Sequence, residues 1–88
     1  MEEYKIEFLR TALKELAKLP VEIQQRIAVR IEELKINPYP SGVKALKNGE
    51  GRFRLRVGDY RIIYRLENNL LVIIIVKIGH RRSIYKDR

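Results

Sequence analysis

The chain has 88 residues, no cysteine and a net charge of +8 at pH 7. Those numbers predict one domain over residues 1–88 with a modest core, and they exclude disulfides, thiol chemistry and cysteine-based metal sites. The start, "MEEYKIEF", carries acids where a secretory signal carries bases, and the longest apolar run, Leu70 to Val76, is too short to span a bilayer, so a cytoplasmic protein without a membrane partner is expected.

Residues 1–43 balance seven bases against seven acids, whereas residues 44–88 hold twelve bases and four acids. The whole excess of charge lies in the second half, which is the footprint of a site for a polyanion such as nucleic acid.

Tyr4, Ile6 and Phe8 alternate with Lys5 and Glu7, which predicts a short, half-buried first strand. Thr11 is the expected N-cap of a first helix whose apolar positions are Ala12, Leu13, Leu16 and Ala17. Leu19-Pro20 breaks it, and Pro20 suits the first turn of a second helix. There Ile23, Ile27, Ile31 and Leu34 form one apolar stripe, and Asn37-Pro38 ends the helix. The two helices are expected as an antiparallel pair.

"NPYPSGVKALKNGEG" reads as loop, with Leu46 turned inward and Lys44 and Lys47 outward. Three antiparallel strands are expected next. "RFRLRV" alternates strictly and turns at Gly58-Asp59 with glycine at the first position of a II′ turn. "YRIIYRLE" follows and turns at Asn68-Asn69. "LLVIIIVKI" is apolar at both parities, which predicts an interior strand covered on each side. The order β-α-α-β-β-β predicts an α+β fold, with the helices on one face of a mainly antiparallel sheet.

The hairpin assigns faces. Pairing Val57 with Tyr60 sets Arg56 opposite Arg61, Arg54 opposite Ile63 and Arg52 opposite Arg65, and directly paired side chains share a face. One face then holds Arg52, Arg54, Arg56, Arg61 and Arg65 around Ile63. The other holds Phe53, Leu55, Val57, Tyr60, Ile62, Tyr64 and Leu66 and belongs to the core. Opposed arginines destabilise a strand pair, with Glu67 placed to offset one of them. Guanidinium forks match phosphate oxygens two at a time, so such a face suits a phosphate backbone. The plain alternative is a solvated edge.

"RFRLRVGDYRIIY", an apolar strand, then "IGHRRSIY" resemble the RelE/ParE toxin superfamily, and more closely its RelE branch, over nearly the whole chain. The resemblance implies a RelE-like, microbial-RNase-like fold and the toxin of a toxin–antitoxin pair that cleaves mRNA in the ribosomal A site. It places the catalytic roles on Arg52, Arg54, Arg61, Arg81 and Tyr85. Lys44, Lys47, Arg56, Arg65, His80 and Arg82 are the accompanying candidates for contact with RNA and ribosome. For His80 the better reading is a strand-end residue bonded to backbone. The implied partners are a RelB-like antitoxin that holds a monomeric toxin, the ribosome and mRNA; no metal or cofactor is implied.

One departure bears on mechanism. The RelE pattern has lysines where this chain has Arg52 and Arg54. Arginine stays protonated in proteins, so neither can serve as a general base. Tyr85 then either stacks on a base or moves a proton. Two other functions fit the sequence as alternatives: a ParE-like inhibitor of DNA gyrase, and a non-catalytic nucleic-acid-binding module.

Overall fold

A computed structural model describes residues 3–46 and 51–80. Along the chain it contains β1 (Lys5–Phe8), α1 (Arg10–Ala17), α2 (Val21–Leu34), β2 (Lys44–Ala45), β3 (Arg52–Val57), β4 (Tyr60–Glu67) and β5 (Val72–His80). The strands form one sheet in the order β1-β5-β4-β3-β2. β2, β3, β4 and β5 pair antiparallel in succession, while β1 runs parallel to β5. The fold is therefore α+β with a mixed sheet. β1 and β5 are distant in sequence, so no tight turn obliges them to pair antiparallel.

The helices cover one face of the sheet. Ala12 of α1 and Ile27, Ile31 and Leu34 of α2 pack with Leu55, Val57, Ile62, Tyr64, Ile73, Ile75 and Ile78 in a single cluster. Ile23 flanks it, as the stripe along α2 requires. Burying one such aliphatic side chain stabilises by about 1.5–3 kcal/mol.

Several expectations are corrected. Thr11 is not the N-cap: α1 begins at Arg10 with Leu9 as cap residue and no side-chain cap. The Leu9 N–H is already bonded to Ile75 O at 3.0 Å, so the chain passes straight from the sheet into the helix. Leu13 is 48% exposed and Ala17 is exposed, because the eight-residue α1 rests on β5 along a narrow line through Ala12 and Leu16. Pro20 is the N-cap of α2 rather than a first-turn residue. Gln24 completes that junction, its amide donating to Leu19 O at 2.8 Å.

A fifth strand, β2, lies in the stretch expected as loop; only two residues long, it carries too little alternation to read as a strand. Leu46 is half-buried and Lys44 exposed. β5 starts two residues later than expected and runs two further. In the turn before it the positive φ falls on Leu71, at 54°, rather than on Asn68 or Asn69. Asn68 instead uses its side-chain oxygen to accept from the Tyr4 hydroxyl at 2.9 Å.

β5 is an interior strand, but the helices cover only one of its faces. A bulge lies opposite Ile63/Tyr64, where Ile63 pairs with Lys77 and Tyr64 with Ile75. The extra residue, Val76, shifts the alternation so that Ile73, Ile75 and Ile78 all face the helices. Val72, Ile74 and Val76 are half-buried. β1 ends opposite Ile75, so among the described residues the edge of β5 beyond that point has no strand partner. Glu15 of α1 takes that place: its carboxylate accepts from the Ile78 N–H at 2.8 Å, with Lys77 Nζ at 3.8 Å. Among the described residues no helix is long and apolar enough to cross a membrane.

Candidate functional site

The β3–β4 hairpin has the register its alternation predicts: Val57 pairs with Tyr60, Arg56 with Arg61, Arg54 with Ile63 and Arg52 with Arg65. Gly58 adopts φ 61° and Asp59 keeps a negative φ, as a II′ turn requires. Arg52, Arg54, Arg56, Arg61 and Arg65 therefore share the face away from the helices. The sheet register extends that face at both sides. Lys44 pairs with Arg54, Lys77 with Ile63, Gly79 with Arg61, and Ile74 with Arg65.

The five arginines occupy three environments. Arg52 and Arg56 are exposed, Arg54 and Arg65 are half-buried, and Arg61 is only 5% exposed. Arg61 lies mid-sheet between Arg56 and Gly79 in the strand register. Burying a guanidinium is costly, and it also holds the side chain in one geometry. Arg65 Nε lies 3.4 Å from Glu67 Oε1, as the shared parity predicts; with both side chains about two-fifths exposed the pair stabilises by at most about 1 kcal/mol. Arg52–Arg65 and Arg56–Arg61 remain opposed like charges, so the face carries a positive field.

Ile63 is 6% exposed on this cationic face. Its register neighbours are Arg54 and Lys77, whose methylene stems are apolar up to their charged ends. The result is a small apolar floor inside a ring of cations, a surface that can grip phosphates bidentately and stabilise added negative charge on phosphorus.

The structure places His80 elsewhere. It pairs with Tyr60, shares the helix-side face, and sets its ring edge-on to that tyrosine at 5.5 Å between centroids. It is thus not brought together with the arginines. Lys47, Arg81, Arg82 and Tyr85 lie outside the described residues. β5 ends at His80, opposite Tyr60 and one register step from Arg61.

Tyr64 is fully buried on the core side and donates to Pro38 O at 2.6 Å. Burial, and secondarily the neighbouring Tyr39, push its hydroxyl well above the ordinary phenol range. It is a neutral brace under the hairpin, not a group that exchanges protons near neutrality. Phe53 stacks on it at 5.7 Å, and Tyr39 meets Phe53 edge-on at 5.3 Å. Among the described residues no group of three or more His, Asp or Glu is placed to hold a metal ion. A groove of about 760 Å³, floored by Ile6, Phe8, Leu16, Ala28 and Ile31, lies on the helix side next to β1, away from the arginine face.

Two basic residues near this face are not evident from the sequence as part of it. Lys77 comes opposite Ile63 through the bulge, which strand periodicity does not reveal, while its ammonium reaches the Glu15 carboxylate at 3.8 Å. Arg26 of α2 lies against the hairpin turn: a Cβ built on Gly58 would stand 3.3 Å from its Nη2. Helical spacing marks Arg26 only as off the apolar stripe.

Residues 6–85 match the family described as ParE toxin of type II toxin–antitoxin system, parDE. A relative named Toxin RelE3, from Methanocaldococcus jannaschii, is 36% identical over 85 residues, spanning 92% of this chain and 94% of its own. Two solved structures share the fold. The archaeal RelE–RelB complex from Pyrococcus horikoshii has a TM-score of 0.78 at 30% identity, covering 89% of this chain and 94% of that one. The RelB–RelE antitoxin–toxin complex from Methanococcus jannaschii has a TM-score of 0.73 at 32% identity, covering 91% and 95%. A match over this much of the chain shows that the protein belongs to the RelE/ParE superfamily of toxins from type II toxin–antitoxin systems.

Proposed function

We propose that this toxin is a metal-independent endoribonuclease that cuts mRNA held by the ribosome and so stops translation. The observation that supports this reading is the arginine face, five arginines in register on one side of β3 and β4 with Arg61 buried among that set's strand positions. RNA cleavage of this kind uses the 2′-hydroxyl as nucleophile. Its oxygen bonds to the adjacent phosphorus, the P–O5′ bond breaks, and a 2′,3′-cyclic phosphate and a free 5′-hydroxyl result. The proton leaves O2′ and one is delivered to O5′. Arg61 and Arg81 clamp the scissile phosphate and stabilise the phosphorane charge, while Arg52 and Arg54 orient the backbone. Tyr85 stacks on a base or carries a proton.

Neither Arg52 nor Arg54 can take the 2′-proton, because guanidinium stays charged. The enzyme therefore depends on alignment. Correct positioning of reacting groups contributes roughly 7–11 kcal/mol in favourable cases, and a codon held in the A site supplies it. The expected outcome is rapid cutting of mRNA on translating ribosomes and little cutting of the same RNA alone. Equally fast cleavage of naked RNA would sink this account.

A RelB-like antitoxin is the proposed cellular partner, in keeping with the RelB complexes of the solved relatives. One observation favours a second reading: the matched family is described by ParE, which makes gyrase inhibition the alternative. A supercoiling assay with purified toxin separates the two. Inhibition of gyrase with no ribosome-dependent RNA cuts would replace the nuclease reading.

A further inference from the structure

Arg26 and Arg56 approach the β3–β4 turn from different elements. Arg26 crosses from α2, and its Nη2 would be 3.3 Å from a Cβ at Gly58, whose positive φ of 61° already favours glycine. Arg56, on β3, donates its Nε to Gly58 O at 3.3 Å. Its two terminal nitrogens are left for a ligand. Arg26, Arg56, Gly58 and Asp59 are all exposed. Among the described residues no carboxylate oxygen lies within 4.0 Å of either guanidinium, the Asp59 side chain included. The contrast with Arg30 is direct: one helical turn from Arg26, it is paired with Glu33 at 3.0 Å. Two guanidinium groups, one from α2 and one from β3, thus flank a turn whose own Asp59 carboxylate pairs with neither.

We propose that the β3–β4 turn is a second anion site, formed by Arg26 and Arg56, that takes a phosphate of the RNA backbone outside the cleaved linkage. Forked guanidinium groups from two sides match the tetrahedral oxygens of a phosphodiester. The turn lies at the hairpin tip next to Arg61, so an RNA strand crossing the arginine face can continue over the tip to the helix side. The identity of the ligand rests on the nucleic-acid reading above; the presence of an anion site does not.

The test is a titration of the full-length protein with a short single-stranded RNA whose 2′-positions are methylated, which blocks cutting. Binding is read by NMR at the Gly58 amide and the Arg26 and Arg56 Nε–H groups, and as affinity across a salt series. The expected result is a saturating shift at all three, lost in Arg26→Gln, with the log–log salt slope reduced by about 0.7, one single-strand phosphate contact. Lys18→Gln, an exposed change elsewhere, should leave the slope as it is. An unchanged slope in Arg26→Gln overturns the proposal, as does an RNA complex in which Gly58 and Arg26 do not shift. A glutamate-rich peptide that shifts these groups where RNA does not overturns it in favour of an acidic protein ligand. Absence of cleavage on ribosomes by the wild type would leave this binding result intact, so the two readings fail separately.

Discussion

At the scale of single residues, Arg61 and Tyr64 lie three positions apart on β4 and serve opposite faces. Arg61 is buried on the arginine face and is the best candidate for holding charge on phosphorus. Arg61→Ala should lower ribosome-dependent cleavage by about 10²–10³-fold, the usual loss for one oxyanion donor, and Arg61→Lys should recover part of it; thermal melts of both variants show whether the fold is intact. Tyr64 braces the loop through Pro38. Tyr64→Phe should cost about 1 kcal/mol in urea denaturation at neutral pH, the net value of a typical hydrogen bond. The pH dependence has a definite sign. Tyr64 titrates above the ordinary phenol value of 10.0 in the folded chain, because burial disfavours its anion. Its contribution is therefore intact below pH 10 and is lost as pH rises toward the folded value, since unfolded chains ionise first. The wild type should lose stability above pH 10 more steeply than Tyr64→Phe. These two roles are legible in the sequence only as parity. Alternation separates Arg61 from Tyr64, but says nothing of how deeply a guanidinium sits.

At the scale of elements, the hairpin is the most legible part of the molecule. A strictly alternating "RFRLRV" and a Gly58-Asp59 turn leave one register that keeps the apolar set together, and the strands adopt it. α2 is legible for the same reason, its stripe being a clean helical period. β2, the Val76 bulge and the left-handed Leu71 are not, because each depends on tertiary pairing rather than local pattern. The bulge alone decides that Ile73, Ile75 and Ile78 share a face, since a run of isoleucines and valines is silent about parity. The same tertiary logic governs Glu15, whose carboxylate covers the open edge of β5. Glu15→Leu leaves the Ile78 N–H without its acceptor and should cost about 1–3 kcal/mol, read from urea midpoints. Glu15→Gln keeps an acceptor and should cost less than half as much. Equal losses in the two variants would remove this bond from the account of the edge.

At the scale of the whole molecule, charge separates by half of the sequence and by face of the sheet. The basic excess of residues 44–88 is carried in large part by one side of β3 and β4, and the helices take the other. The placement of charge along the chain makes that separation visible, which is why a polyanion site is legible from the residues alone. Two placements are not. His80 is directed to the helix side by its pairing with Tyr60, away from the arginines, and Arg26 reaches the turn from a helix that the sequence assigns to the core. A face of this kind should bind RNA with strong salt dependence: affinity for single-stranded RNA should fall steeply and log-linearly as salt rises, by a slope that reflects several phosphate contacts. A flat salt profile would mean that the arginines do not meet phosphates. The central claim, that this toxin cuts mRNA only when the ribosome aligns it, is tested most directly by mapping RNA 5′ ends in a purified translation system with and without the protein. The account predicts new ends with free 5′-hydroxyls, confined to codons in the A site and absent when ribosomes are omitted. No new ends on ribosomes, or the same ends on naked RNA, would contradict it.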